Sequence, residues 1–191
     1  GTMQTTVHPD LFAPWIPAGT LHFLERLAFG PAAPSFEGGF TAGIGSNGWL
    51  TIDGHLTGSN FLYRGAQVAS LDTGLHYSNG FLRLEPFRVD RSDGAVQGGL
   101  WLDLAASRYR FDLQSGIDPL DVGKMVSSNL EHAIRIGRYE GPARILARGV
   151  YDELHPGRTE VTVDVDAQKL GLRWFMPDQA AFTLVNEGHH Y

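Results

Sequence analysis

The segment LDTGLHYSNGFLRL, residues 71–84, decides the fold class of this chain. Apolar residues alternate with polar or small ones over residues 71–77, and apolar residues recur at every second position again from 82 to 84. A period of two is typical of a β-strand that has one apolar and one solvated face. Between the two runs, Asn79-Gly80 supplies the positive φ angles that a tight hairpin needs. The segment therefore predicts two antiparallel strands joined by a short turn.

The same pattern continues on both sides of this hairpin. Alternation returns over residues 96–104 and 109–113, and Ser92-Asp93-Gly94 and Ala105-Ala106-Ser107 provide turns between the runs. We therefore expect an antiparallel meander over residues 49–117. The apolar positions slip by one residue around Pro86, which cannot donate a hydrogen bond to a neighbouring strand, so a β-bulge or an edge strand is predicted there.

An amphipathic helix is predicted over residues 118–137. Asp118-Pro119 is a favourable N-cap and first helical position, and Gly137 is a plausible end. Its apolar face follows helical spacing, with Val122, Met125, Val126, Leu130, Ala133 and Ile134. Strands are expected to resume in residues 138–191, with a turn at His155-Pro156-Gly157.

Residues 4–48 resemble a weaker copy of this later helix and strand block. We expect a helix over about Ala18–Ala28, since Pro14 and Pro17 precede it, and then a strand at Phe36–Phe40. The sequence therefore predicts an internal repeat of helix followed by strands. Gly1-Thr2-Met3 resembles an expression-vector remnant, so residues 1–3 are set apart from the natural sequence.

The composition excludes several classes of function. The 191 residues are 42% hydrophobic and 19% charged, with a net charge of -6 and scattered Lys and Arg, which argues against a disordered chain and a nucleic-acid-binding surface. No cysteine is present, so disulfide frameworks and thiolate metal sites are excluded. No apolar run approaches the roughly 20 residues that a membrane-spanning helix needs.

The motifs that could carry chemistry have simpler interpretations. The run Gly43–Gly48 has the spacing of a dinucleotide-binding loop, but a strand and not a helix is expected after it, so a hairpin loop is favoured. The eight histidines are dispersed without metal-ligand spacing. Asp164 and Asp166 alternate with valines and are expected on the polar face of one strand. We therefore expect no enzyme, no metal and no cofactor.

Eleven apolar residues of the meander are the candidate functional residues. They are Leu71, Leu75, Tyr77, Leu82, Leu84, Leu100, Leu102, Leu104, Tyr109, Phe111 and Leu113. One interpretation is a closed core, as in a β-sandwich or a small ligand-binding barrel. The other is an open groove that solvates acyl chains. The residues alone favour the closed core.

A family resemblance favours the open groove. The runs FLYRG (61–65), NGFLRL (79–84) and DGAVQG (93–98) resemble the repeat unit of AsmA-like and TamB-like envelope proteins. The resemblance implies a mainly β fold, an antiparallel meander curved into a half-pipe and closed in part by one or two amphipathic helices. It also implies a periplasmic or envelope location, with a parent protein anchored to the inner membrane.

The function that the resemblance implies is non-enzymatic. It is phospholipid transfer between inner and outer membranes in support of outer-membrane assembly, with acyl chains and neighbouring repeats of the parent chain as partners. Self-association through sheet edges is a further expectation. The alternative is a structural or protein-interaction β-domain without a lipid ligand.

Overall fold

The computed structural model describes residues 2–6, 27–29, 34–43, 49–63, 65–119, 121, 137–139, 143–168, 170–172 and 179–187. Within these ranges the protein is mainly β. In chain order the strands are β1 (Thr2–Thr6), β2 (Leu27–Phe29), β3 (Ser35–Gly43), β4 (Trp49–Tyr63), β5 (Ala66–Ser78), β6 (Phe81–Arg91), β7 (Gly94–Asp103), β8 (Arg108–Ser115), β9 (Gly137–Tyr139), β10 (Ala143–Asp152), β11 (Glu160–Gln168), β12 (Leu170–Leu172) and β13 (Gln179–Glu187).

Eleven of these strands form one antiparallel sheet in the described part of the chain. Their order is β1-β3-β4-β5-β6-β7-β8-β10-β11-β13, and β2 pairs with the last residues of β4. The predicted meander is therefore confirmed, and it extends on both sides into the segments 4–48 and 138–191. Among the described residues β1 and β13 are the outermost strands and do not pair with each other, so the sheet does not close into a barrel. Strands β9 and β12 pair separately.

The hairpin turns lie where the sequence predicts them. Asn79 and Gly80 connect β5 to β6 with φ angles of 48° and 91°. Two successive residues with positive φ match the right-handed twist of the flanking strands, which is why Asn-Gly is favoured here. Ser92-Asp93 and Leu104–Ser107 form the next two connections.

The irregularity at Pro86 is a β-bulge inside the sheet. Glu85 and Pro86 together stand opposite the single residue Gly74 of β5 and opposite the single residue Gly99 of β7. The bulge prediction is confirmed, and the alternative of an edge strand is wrong, because β6 lies between β5 and β7. The extra residue compensates the parity slip in the sequence, so Leu84 and Phe87 share one face.

Predictions of helices are tested only in part. The predicted helix 118–137 lies outside the described residues except at its two ends. Pro119 and Asp121 are helical, and the Asp121 amide donates to the Asp118 carbonyl at 3.0 Å. Gly137, the predicted end of the helix, is already the first residue of β9. In the rest of the described chain, helical structure is limited to the 3-10 turn Pro156–Arg158. The predicted helix over 18–28 cannot reach Ala28, since Leu27–Phe29 is a strand. The rest of that helix and the helical parts of the internal repeat also lie outside the described residues.

The buried residues of the sheet gather toward one end of its strands. Phe61 and Val68, which pair across β4 and β5, pack with Val89 of β6. Strict alternation would place Phe61 and Val68 on the opposite face from Leu71, so the alternation shifts in both strands next to Asn60, which has a φ of 52°. Ile117, which follows β8, is fully buried. Ala143 and Ile145 of β10 and Ala167 of β11 are at most 6% exposed.

Candidate functional site: one apolar face of the sheet

Strand register places the candidate residues in rows across the sheet. Tyr77 pairs with Leu82, Leu82 with Leu102, and Leu102 with Tyr109. Residues directly opposite each other in antiparallel strands present their side chains on the same face. A second row runs through Leu75, Leu84, Leu100 and Phe111. The two rows are two residues apart on each strand, so their side chains lie on one face.

The remaining candidates complete this face with one exception. Leu113 pairs with Gly98, which continues the face toward the buried end, and Leu71 packs beside the cluster around Val89. Leu104 differs, because it follows the last residue of β7 and lies in a turn, where its amide donates to the Gly80 carbonyl at 2.9 Å. The sequence pattern thus assigned Leu104 wrongly to a strand. The other ten candidates lie on what we call the apolar face.

Sequence reasoning missed a large part of this face. The register adds Ile52 of β4, Phe87 and Val89 of β6, and Val163 of β11 through its pairing with Ala147. Their signal was present, since residues 161–165 alternate valine with polar residues. Alternation within one strand does not reveal which other strands pair with it, and so it does not reveal which apolar residues share its face. Strand pairing therefore had to be known before these residues could be added.

The apolar face carries almost no charge. Among the described positions on this face from β3 to β11, the only ionisable cation or carboxylate is Arg91, at the last residue of β6. Arg91 is paired with Asp93 of the following turn and with Asp121. The rest of the face therefore consists mostly of aliphatic and aromatic side chains, with glycines, Thr73 and Ser115 between them.

The opposite face, which we call the charged face, carries the polar partners of each strand. Asp53 contacts His76 at 2.5 Å and His55 contacts Asp72 at 3.1 Å across β4 and β5. Two hydrogen bonds from Arg88 and a third from Ser70 lower the pKa of Asp90. Such exposed ion pairs contribute little to stability and favour solubility instead.

The charged face continues across β7, β8 and β11. Asp164 of β11 accepts a hydrogen bond from Thr183 at 2.6 Å, and Asp166 is exposed two residues away on the same face. Arg110 lies over the Trp101 ring with its guanidinium carbon 5.2 Å from the ring centroid. Across the described ranges, no group of three or more histidine, aspartate or glutamate side chains has a geometry that could hold a metal ion.

Burial of the apolar face is incomplete. All eleven candidate residues are half-buried, so none of them lies in a sealed interior and none is freely exposed. Among the described residues no second sheet packs on this face, and neighbouring side chains within one layer cover one another only in part. Apolar faces larger than a few hundred Å² are uncommon on isolated soluble domains and mark sites of interaction.

Fold and site together define the class of this protein. It is an open antiparallel sheet with one apolar face and one charged face. Comparison of the chain with protein-family models, with curated proteins and with solved structures found no match. In the part of the chain that the structure describes, no helix has the length and apolar character needed to cross a membrane.

Proposed function

We propose that this chain is a non-enzymatic hydrophobic-groove module that shields phospholipid acyl chains. The observation that carries the proposal is the apolar face, which spans strands β3 to β11 opposite a charged face and carries Arg91 as its one charged residue among the described positions. Acyl chains would bind by burial of apolar surface, at roughly 25 cal/mol per Å² removed from water. In this proposal the sheet curves into a half-pipe, and helices close part of it.

Fixed charge on the described face is limited to Arg91, which lies at the buried end, and this suits transfer better than storage. A lipid that is held by a buried ion pair would leave slowly, because each broken contact strands a charge. Aliphatic contacts that are spread over several strands give weak binding at any one point, so a chain slides with little change in free energy. The ligand is therefore expected to be an acyl chain, with its headgroup left in water.

The sequence resemblance places this activity in a cellular setting. As in the AsmA-like and TamB-like envelope proteins that the sequence resembles, the module would act in the periplasm as part of a longer protein. It would move phospholipid between the inner and outer membranes and support outer-membrane assembly. Neighbouring repeats of the parent chain would extend the apolar face.

A second candidate is a structural or protein-interaction domain without lipid. The observation that favours it is the pair of outer strands β1 and β13, which have no further strand beside them among the described residues. An unpaired strand edge can accept an extended peptide by main-chain hydrogen bonding. This candidate predicts that the purified protein carries and takes up no lipid.

Uptake of a photocrosslinkable phospholipid separates the two candidates. Leu102→Asp puts a carboxylate in the centre of the apolar face, and it should reduce uptake about tenfold or more, because an acyl chain would have to desolvate the charge. Leu146→Asp introduces the same charge on the charged face, where Leu146 pairs with Gln114. Arg110→Glu alters that face as well, and both control variants should take up lipid like the wild type.

Two results would count against the proposal. If the wild type acquires no crosslinked lipid and none is extracted with organic solvent, the chain is a structural or interaction domain. If Leu102→Asp unfolds the protein outright, the residue belongs to a closed core and the face is not an open groove.

A further inference from the structure

We propose that one end of the sheet docks on the surface of a phospholipid bilayer, and that acyl chains reach the apolar face through this end. The end consists of the start of β4, the turns at 79–80, 104–107 and 153–158, and the strand ends that adjoin them, and we call it the open rim. The inference rests on the proposed function, because a docking end needs an acyl-binding face behind it. It adds a membrane-contact surface and a direction of entry along the strands.

The first observation is a gradient of burial along the strands of the apolar face. At the far end, Val68 and Val89 are buried beside Phe61, and Thr73 one row inward is also fully buried. In the rows through Leu75 and Tyr77 the side chains are half-buried. At the β10 position of the Tyr77 row, Tyr151, which pairs with Tyr109, is exposed. The face is thus covered at one end and accessible at the open rim.

The second observation is the position of the exposed large apolar side chains. Six of the nine in the described chain lie at the open rim, namely Phe40, Trp49, Leu50, Phe81, Tyr151 and Leu154. Phe81 is 59% exposed and Leu154 is 61% exposed. Phe40, Leu50 and Tyr151 follow the register of the apolar face, whereas Trp49 and Phe81 follow that of the charged face. Apolar groups on both sides of one end fit an end that enters a lipid surface, since a partner covering a single face would need only one side.

The third observation is that hydrogen bonds join the turns of the open rim into one unit. The Asn79 amide donates to the Leu50 carbonyl at 3.3 Å, and the Leu104 amide donates to the Gly80 carbonyl at 2.9 Å. The Glu153 amide donates to the Ser107 carbonyl at 3.1 Å. Because neighbouring turns are linked, their apolar side chains are presented together, and insertion does not require ordering of separate loops.

The charge of the open rim indicates which kind of bilayer it would contact. Asp103, Glu153 and Glu160 lie there beside Arg108 and Arg158, so no excess of cations would attract an anionic surface. Trp and Tyr are enriched at the level of the lipid headgroups, and Trp, Phe and Leu form the apolar faces of interfacial helices. We therefore expect docking to a zwitterionic phosphatidylcholine surface, driven by apolar burial and insensitive to salt.

Flotation with phosphatidylcholine vesicles tests the docking step. The double variant Phe81→Ser with Leu154→Ser should lose about tenfold or more in vesicle partitioning, from the apolar surface that these two side chains would bury. Leu62→Ser is the matched control, because Leu62 is exposed at the far end of β4 and should not affect flotation. Both sets of side chains are exposed, so the variants should fold like the wild type.

A soluble probe separates docking from acyl binding. A fluorescent fatty acid below its critical micelle concentration should reach the apolar face of the double variant as well as that of the wild type. Leu102→Asp should show the reverse, with vesicle flotation retained and fatty-acid uptake lost.

Docking at the open rim is refuted if the double variant floats like the wild type. It is also refuted if the wild type takes up fatty acid but does not float, since a protein partner would then have to deliver the lipid. A wild type that takes up no fatty acid would overturn the proposed function, and with it the proposal that acyl chains enter through the open rim.

Discussion

The backbone of Gly74 in β5 lies directly against the backbone of Glu85 in β6. A Cβ atom at residue 74 would collide with the carbonyl oxygen of Glu85, one of the two bulge residues that stand opposite it. We expect Gly74→Ala to destabilise the protein by roughly 1–3 kcal/mol, since the strands must separate to admit the methyl group.

The matched control for this substitution is Gly58→Ala in the neighbouring strand β4. A Cβ there would meet Phe61 and Leu71 only at ordinary contact distances of 3.6 and 3.8 Å. Urea unfolding should show little loss for Gly58→Ala or a small gain. Equal losses for the two variants would show that the bulge does not constrain residue 74.

Charge insertion should distinguish the two ends of the apolar face by stability. Val68 is 1% exposed, so Val68→Asp should cost about 4 kcal/mol or more, because the carboxylate is stranded without water. Leu102→Asp should cost roughly half as much, because a half-buried carboxylate keeps part of its hydration. Equilibrium unfolding at pH 7 measures both values. Equal losses in the free energy of unfolding would mean that Leu102 is as inaccessible to water as Val68.

Arg91 should couple stability to acid pH. Burial of Asp93 opposes its ionisation, but hydrogen bonds from Arg91 and from backbone amides outweigh this and lower the pKa of Asp93. A depressed pKa in the folded state stabilises the protein above the ordinary value of 3.8, and this contribution is lost as pH falls through the folded value.

Arg91→Met should therefore reduce stability at pH 7 and flatten its dependence on pH below about 4. Thermal melts between pH 2 and pH 7 provide the measurement. The expectation fails if the wild type and the variant lose stability in parallel over that range, since the guanidinium would then not be responsible for the shift.

Tyr109 should titrate at unusually high pH. Burial, followed by the hydrogen bond that its hydroxyl donates to Glu153 at 2.9 Å, raises the pKa of Tyr109 to about 12. A raised pKa favours the folded state fully below the ordinary value of 10, and this contribution is lost as pH rises through the folded value. The tyrosinate absorbance of Tyr109, which is the part that Tyr109→Phe removes, should appear near pH 12. Glu153→Gln should shift its appearance to lower pH. An onset near pH 10 in the wild type would contradict the contact.

The outer strand β13 should promote self-association. Thr183 and Val185 are exposed on β13, and no strand among the described residues pairs with its outer side. We expect concentration-dependent association by sedimentation velocity, and Val185→Lys should weaken it, as charged edge residues do in natural sheets. Leu146→Lys in the interior strand β10 is the control. Monomer at all concentrations would exclude pairing through this edge.

The local features of the fold could be read from the sequence. Asn79-Gly80, the alternation of residues 71–77 and the parity slip around Pro86 led to the correct turn, strands and bulge. Each depends on a few neighbouring residues, because φ preference, side-chain period and the missing amide of proline are local properties. Leu104 shows the limit of this reasoning, since an alternating pattern continues past the point at which the strand ends.

Strand register places ten of the eleven candidate residues on one face, yet the sequence by itself did not determine what that surface is. Alternation requires an apolar side on each strand, and this holds equally for a closed core and for an open face. Only the tertiary structure decided that β1 and β13 stay apart, that Val163 joins Leu113 through Ala147, and that Phe61 is covered while Phe81 is exposed. Burial is the physical reason, because it depends on which strands become neighbours, and that is settled by pairing between residues distant in the chain.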